Sequence, residues 1–232
     1  MLEVSGINQY YGESHTLWDS QLKVATSGCT CLMGRNGVGK TTLLKSIMGL
    51  LPVRSGRIQL GETELAWRRA DLRARLGIGY VPQGREIFPQ MTVEENLRIG
   101  LGRQTGKDSG ETFERIFSLF PVLKKMLRRR GGDLSGGQQQ QLAIGHALAV
   151  GPNLLILDEP TEGIQPNVVH EIGDVILRLN REDGIAVLLV EQKLPFARRV
   201  ARDFCLMDRG RTVAQGTMDE LTDELVRRHL TV

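Results

Sequence analysis

The sequence predicts an α/β fold with three parts: a phosphate-loop core, an antiparallel β-subdomain and an inserted helical subdomain. Three observations carry that prediction. Gly34-Arg35-Asn36-Gly37-Val38-Gly39-Lys40-Thr41-Thr42 matches G-x-x-x-x-G-K-[ST] at every fixed position, between a short apolar run and a helical pattern. Residues 154–157 and 185–190 are near-continuous apolar runs, as parallel strands buried on both faces should be. Between residues 84 and 150 the hydrophobic period changes from that of strands to that of helices.

Taken in order, residues 2–24 alternate in short runs (Leu2, Val4; Leu22, Val24), which predicts a small antiparallel sheet interrupted at Tyr10-Tyr11-Gly12. Residues 29–33 read as a buried strand feeding the loop, and Leu43, Leu44, Ile47 and Met48 give a helix over 42–49. Pro52 and Ser55-Gly56 stop it. Residues 57–62 add a strand and turn to the first sheet, and 78–81 form another strand ending at Pro82-Gln83. Thr92 and Glu95 have capping-box spacing, so a helix starts there. Phe113, Ile116, Phe117 and Phe120 mark a second helix, stopped by Pro121. Lys124, Lys125, Arg128, Arg129 and Arg130 form a solvated helix face or, as the alternative, a surface drawn to anionic headgroups. After a helix over 138–150, the stripe Val168, Val169, Ile172, Val175, Ile176 and Leu179 lies between the two apolar strands, a βαβ unit. Residues 204–207, the turn Asp208-Arg209-Gly210 and residues 212–214 make a hairpin, with a polar helix after Met218.

A length of 232 residues suits one domain over 1–232 with residues 84–150 inserted in it. Its 25% charged and 41% hydrophobic residues describe a globular chain, and a net charge of +3 is too small to imply a nucleic-acid partner. No apolar run approaches the roughly 18 to 20 residues that span a bilayer, and the early polar residues argue against a secretory signal. A cytoplasmic place is expected. Cys29 and Cys31, two apart on a strand, read as packing thiols, and the four scattered histidines make no zinc site.

Phosphate binding needs glycines because backbone N–H groups must converge on anionic oxygens. Gly34, Gly37 and Gly39 allow that approach, Lys40 reaches the β- and γ-phosphates, and Thr41 offers a hydroxyl to Mg²⁺. The strand at 154–157 ends in Asp158-Glu159, which in a phosphate-loop protein delivers one carboxylate to Mg²⁺ and a second to the attacking water. Ser135-Gly136-Gly137 opens a helix and reads either as a cap or as a second anion site, the latter inviting a dimer that encloses the nucleotide between two chains.

Residues 34–42, Gln83, Leu134-Ser135-Gly136-Gly137-Gln138 and Leu157-Asp158-Glu159-Pro160 resemble, in order, the Walker A motif, Q-loop, signature motif and Walker B motif of ABC transporter ATPases. The likeness covers essentially the whole chain. Residues 82–89, Glu162-Gly163-Ile164-Gln165-Pro166 and Val190-Glu191-Gln192 resemble the high-affinity branched-chain amino acid branch. Residues 84–89 with the four glutamines 138–141 most resemble the importers of urea and short-chain amides. The resemblance implies a RecA-like core and ATP with Mg²⁺ as ligands. Nucleotide contacts are implied for Tyr11 (or Tyr10 as the adenine-stacking ring), Asn36, Thr42 and another chain's Ser135, Gly136 and Gly137. Gln83 is implied at both catalysis and the metal, with Gln192 at the γ-phosphate. Implied partners are a membrane permease, a second ATPase subunit of the same or a related kind, and an external solute-binding protein. The chain would then sit on the cytoplasmic face of the membrane.

Three departures from the broad pattern stand out. Gln192 occupies the position of the usual switch histidine, and it can hydrogen-bond a phosphate but carries no charge near neutral pH. The loop at residues 162–165 lacks the usual aspartate. Gln141 and Gly145-His146 stand where Arg-rich variants are usual, and Gly145 inside a helix costs about 1 kcal/mol relative to Ala. Two rival classes are an ABC protein acting on DNA or ribosomes, which usually carries two cassettes or a coiled coil, and a phosphate-loop kinase, against which Ser135-Gly136-Gly137 argues.

Overall fold

The structure, a computed structural model, describes residues 1–102 and 107–230. Its first strands, β1 (Leu2–Tyr11) and β2 (Ser14–Val24), pair antiparallel and turn at Gly12-Glu13. Tyr10 and Tyr11 therefore belong to β1 and do not interrupt it, because both pair across the hairpin, with His15 and Ser14. β3 (Cys29–Met33) is buried at every position. It leads through the loop into α1 (Lys40–Met48), which starts two residues before the periodicity suggests. Polar Lys40 and Thr41 carry no hydrophobic signal, yet they are helical. β4 (Ser55–Leu60) pairs with β1 and with the short β5 (Thr63–Glu64), completing the sheet β2-β1-β4-β5.

α2 (Ala70–Arg75) has no counterpart in the sequence reading. Its anchor is a charged residue: Arg73 is buried and donates to the carbonyls of Ser46, Ile47 and Ala66. β6 (Ile78–Val81) follows. α3 (Val93–Leu101) has the expected capping box, with Glu95 N–H donating to Thr92 Oγ1 and Thr92 N–H to Glu95 Oε2. α4 (Lys107–Leu119) ends before Pro121, which also occupies the first turn of α5 (Pro121–Lys125). Only Lys124 and Lys125 of the basic run are helical. Arg128 and Arg129 lie in a turn and Arg130 bridges to Thr92, so the single helix face expected of the run does not form, although its arginines are exposed.

α6 (Gly136–Ala149) begins two residues earlier than expected, capped by Ser135 in a box with Gln138. Gly145 gives α6 a close approach: a methyl group there would lie 3.2 Å from both Leu97 and Ile116, so its helix penalty accompanies tight packing of α3 and α4. The chain continues through β7 (Leu154–Asp158), α7 (Pro166–Arg181), β8 (Ala186–Val190), α8 (Leu194–Val200), β9 (Asp203–Asp208), β10 (Arg211–Thr217) and α9 (Asp223–His229).

The second sheet runs β10-β9-β3-β8-β7-β6, parallel from β9 to β6 with β10 antiparallel at the edge. Alternation along its strands divides the interior. Cys31, Leu155, Leu157, Val187 and Leu189 pack with α3, α4, α6 and α7, while Leu32, Ile156, Leu188 and Met207 pack with α1 and the antiparallel sheet. The cysteines are free and buried, and burial pushes the thiols of Cys29 and Cys205 up to about 12, as packing thiols require. Among the described residues no helix is long and apolar enough to cross a membrane.

Candidate nucleotide site

Parallel pairing brings the carboxyl ends of β3, β7 and β8 to one edge of the sheet, where ligands of open α/β sheets bind. Gly34 turns the chain out of β3 at φ 156°, and a side chain there would collide with the Met207 carbonyl. Gly39, at φ 108°, aims the loop into α1. The Lys40 ammonium folds back under this loop, donating to the carbonyls of Gly34 at 2.8 Å and Arg35 at 2.9 Å, with Glu159 Oε1 at 3.9 Å. Burial lowers its pKa, while Glu159 and Asp158 hold it up.

Thr41 Oγ1 donates to Asp158 Oδ2 at 3.1 Å. The other oxygen of that carboxylate, Oδ1, is buried with no hydrogen-bond partner. Burial raises the Asp158 pKa from the ordinary 3.8 to about 6, against the opposing pull of the Thr41 hydroxyl. A hydroxyl beside a desolvated carboxylate oxygen suits a small hard cation, so these two residues fit Mg²⁺.

Glu159 carries the second carboxylate from a backbone at φ 50°, a conformation that costs a non-glycine residue free energy and that active sites often hold. Two glutamines converge on it. Gln192 Nε2 reaches Glu159 Oε1 at 2.5 Å and Asn36 Oδ1 at 2.7 Å. Gln83 Nε2 reaches Glu159 Oε2 at 3.4 Å and Glu162 Oε2 at 3.0 Å. Residues from four segments far apart in sequence, at 36, 83, 159–162 and 192, thus meet in one hydrogen-bonded set. Glu162 escaped the sequence reading as a site residue; its signal is an acidic side chain three places beyond Glu159.

A cleft of about 330 Å³ lies over this set, bordered by Gly37, Gly39, Lys40, Thr41, Thr42 and Glu159 among others. Tyr11, half exposed at the end of β1, places its hydroxyl 3.5 Å from Thr42 Oγ1. Tyr10 is already engaged, stacked on His15 with centroids 4.0 Å apart and beneath the Arg54 guanidinium at 5.0 Å. Ser135, Gly136 and Gly137 do not border the cleft. They stand at the start of α6 as its cap and first turn.

Comparison with known proteins gives the family. The family model described as ABC transporter matches residues 17–162. The chain is 37% identical to the probable branched-chain amino acid transport ATP-binding protein LivF of Archaeoglobus fulgidus, over 96% of this chain and 94% of that one. It is 39% identical to the high-affinity branched-chain amino acid transport ATP-binding protein BraG of Pseudomonas aeruginosa, over 94% and 93%. A solved structure of an ATP-binding subunit of an ABC transporter superposes with a TM-score of 0.85 at 27% identity, covering 98% of this chain and 92% of that one. With the family model matching residues 17–162, more than half of the chain, and near-full-length likeness to these relatives, the chain belongs to the ABC transporter family as an ATP-hydrolysing subunit.

Proposed function

We propose that this chain powers a branched-chain amino acid importer as its ATPase subunit. The observation that carries the reading is near-full-length similarity to two subunits named for branched-chain amino acid transport. It favours that solute over urea or short-chain amides, which rested on residues 84–89 and the glutamines 138–141 alone. The chain acts as one ATPase domain, with residues 84–150 as its helical subdomain. It works on the cytoplasmic face of the membrane with permease subunits, a second ATPase subunit and an external solute-binding protein.

Within the site, Lys40 and the N–H groups of residues 37–42 bind the phosphates, and Tyr11 stacks on the base. Thr41, Asp158 and Gln83 hold Mg²⁺, which when bound neutralises phosphate charge. Glu159 orients the attacking water and takes its proton, held in place by Gln192 and Gln83. Asn36 fixes the far side of the Gln192 amide. Ser135, Gly136 and Gly137 of a second subunit close over the nucleotide, which explains their absence from this chain's own cleft.

Purification of the complex from its native membrane, followed by ATPase assay in proteoliposomes with candidate solutes, tests the reading. Stimulation by leucine, isoleucine or valine through the co-purified binding protein is expected. Stimulation by urea or a short amide in their place would overturn it.

A further inference from the structure

Two loops carry the reacting side chains: residues 159–162 after β7 and residues 191–193 after β8. A buried carboxylate that does not border the cleft lies between them. Glu191 is 3% exposed and Thr161 is fully buried. Glu191 Oε2 accepts the Thr161 hydroxyl at 2.6 Å, and its Oε1 accepts the backbone N–H groups of Gln192 at 2.8 Å and Lys193 at 3.0 Å. Lys193 Nζ returns to the Thr161 carbonyl at 2.9 Å. Thr161 is thus gripped at its hydroxyl and its carbonyl by consecutive segments of the other loop, and both oxygens of Glu191 are engaged.

We propose that Glu191, through Thr161 and Lys193, is a positioning residue that fixes Gln192 against Glu159 for hydrolysis. The chemical reason lies in the side chain it serves. Gln192 has a neutral amide with one donor end and one acceptor end, so it works only when its amide faces the right way. In the structure that amide donates both to Asn36 Oδ1 and to Glu159 Oε1, two acceptors from different loops. Glu191 sets the backbone from which the amide projects, by binding the N–H of Gln192 itself. It simultaneously sets the loop that presents Glu159, two residues before Thr161. Movement of residues 160–162 is thereby passed to Gln192 without any aspartate at residues 162–165. Removing the clamp leaves the Lys40 contacts to the Gly34 and Arg35 carbonyls in place and disturbs the phosphate loop only through the Gln192–Asn36 contact and the distant charge of Glu191, so binding should change less than turnover.

This role rests on Glu159 and Gln192 acting in hydrolysis. The test uses the full chain, with MgATP affinity from calorimetry and kcat from phosphate release at saturating MgATP. Glu191→Gln should lower kcat by roughly 10- to 100-fold, the scale of a misplaced catalytic group, while Kd changes less than about threefold. Thr161→Val should reproduce that loss and Thr161→Ser should restore turnover. In a Gln192→Ala background, Glu191→Gln should cost clearly less than in the wild type, since part of the clamp's effect passes through Gln192. Equal kcat in wild type and Glu191→Gln, or the same fold loss in both backgrounds, would overturn the proposal. If Glu191→Gln fails to fold, Thr161→Val with full turnover overturns it equally. A wild-type chain that hydrolyses no ATP would instead count against the roles given to Glu159 and Gln192.

Discussion

Asp158 should be a residue that the chain holds at the expense of its own stability, and replacing it by Asn should stabilise the ligand-free protein. Its carboxyl is lifted from 3.8 to about 6, chiefly by burial. A raised carboxyl pKa means the folded chain binds this proton more tightly than the unfolded chain does. The penalty for ionising it is therefore absent below about 3.8, grows between 3.8 and 6, and is complete above 6. The interval corresponds to about 3 kcal/mol at pH 7.5 and about half of that at pH 5. The side-chain amide introduced by Asp158→Asn would keep a carbonyl acceptor for the Thr41 hydroxyl while carrying no charge to desolvate. Thermal unfolding of Asp158→Asn at pH 7.5 should rise by several degrees, given roughly 2–4 °C per kcal/mol in a chain of this size. The gain should shrink at pH 5, and the extra stabilisation that Mg²⁺ adds to ATP should vanish. A melting temperature that falls at pH 7.5, or a gain independent of pH, would refute the reasoning.

Three further outcomes are expected. Lys40→Ala should weaken MgATP binding by about 2 kcal/mol, roughly 30-fold in Kd by calorimetry, since a charge-assisted phosphate contact is lost. Glu159→Gln should retain ATP binding but lose at least about 100-fold in phosphate release, with a dimer accumulating on size exclusion in MgATP. Thr92→Ala removes the α3 cap seen at Glu95 N–H, and should lower stability by about 1 kcal/mol in denaturant unfolding without changing ATP affinity.

What was legible in the sequence follows the kind of force involved. The runs at residues 154–157 and 185–190 announce β7 and β8 because strands buried on both faces demand near-continuous apolar side chains, and Thr92 with Glu95 announces α3 because a cap is local chemistry. α2 is silent because its anchor is Arg73, whose guanidinium is satisfied by carbonyls from Ser46, Ile47 and Ala66; no periodicity records such a partner. α8 is silent for another reason: seven residues with a proline near the start are too few to set a period. At the site, residues 34–42 and Asp158-Glu159 are readable as motifs. Glu162 and Glu191 are not, since their meaning arises only where two loops meet in space. Tyr10 and Tyr11 likewise differ only in space: His15 and Arg54 pack against the first ring, while the second is half exposed.

The division of the interior by the parallel sheet bears on how chimaeras of this protein should be cut. α3, α4 and α6 do not own a private core: Leu97, Ile116 and Leu142 share one continuous cluster with Leu155, Leu157, Val187 and Leu189 of the strands. A graft that exchanges residues 84–150 would therefore set a new helical surface on an old sheet face. Each mismatched methyl at that seam costs on the order of 1 kcal/mol. Transplanting the outward-packing residues of β7 and β8 along with the helices keeps donor side chains against donor side chains. Ile156, Leu188 and the rest of the opposite face can stay as they are, because they never meet the graft.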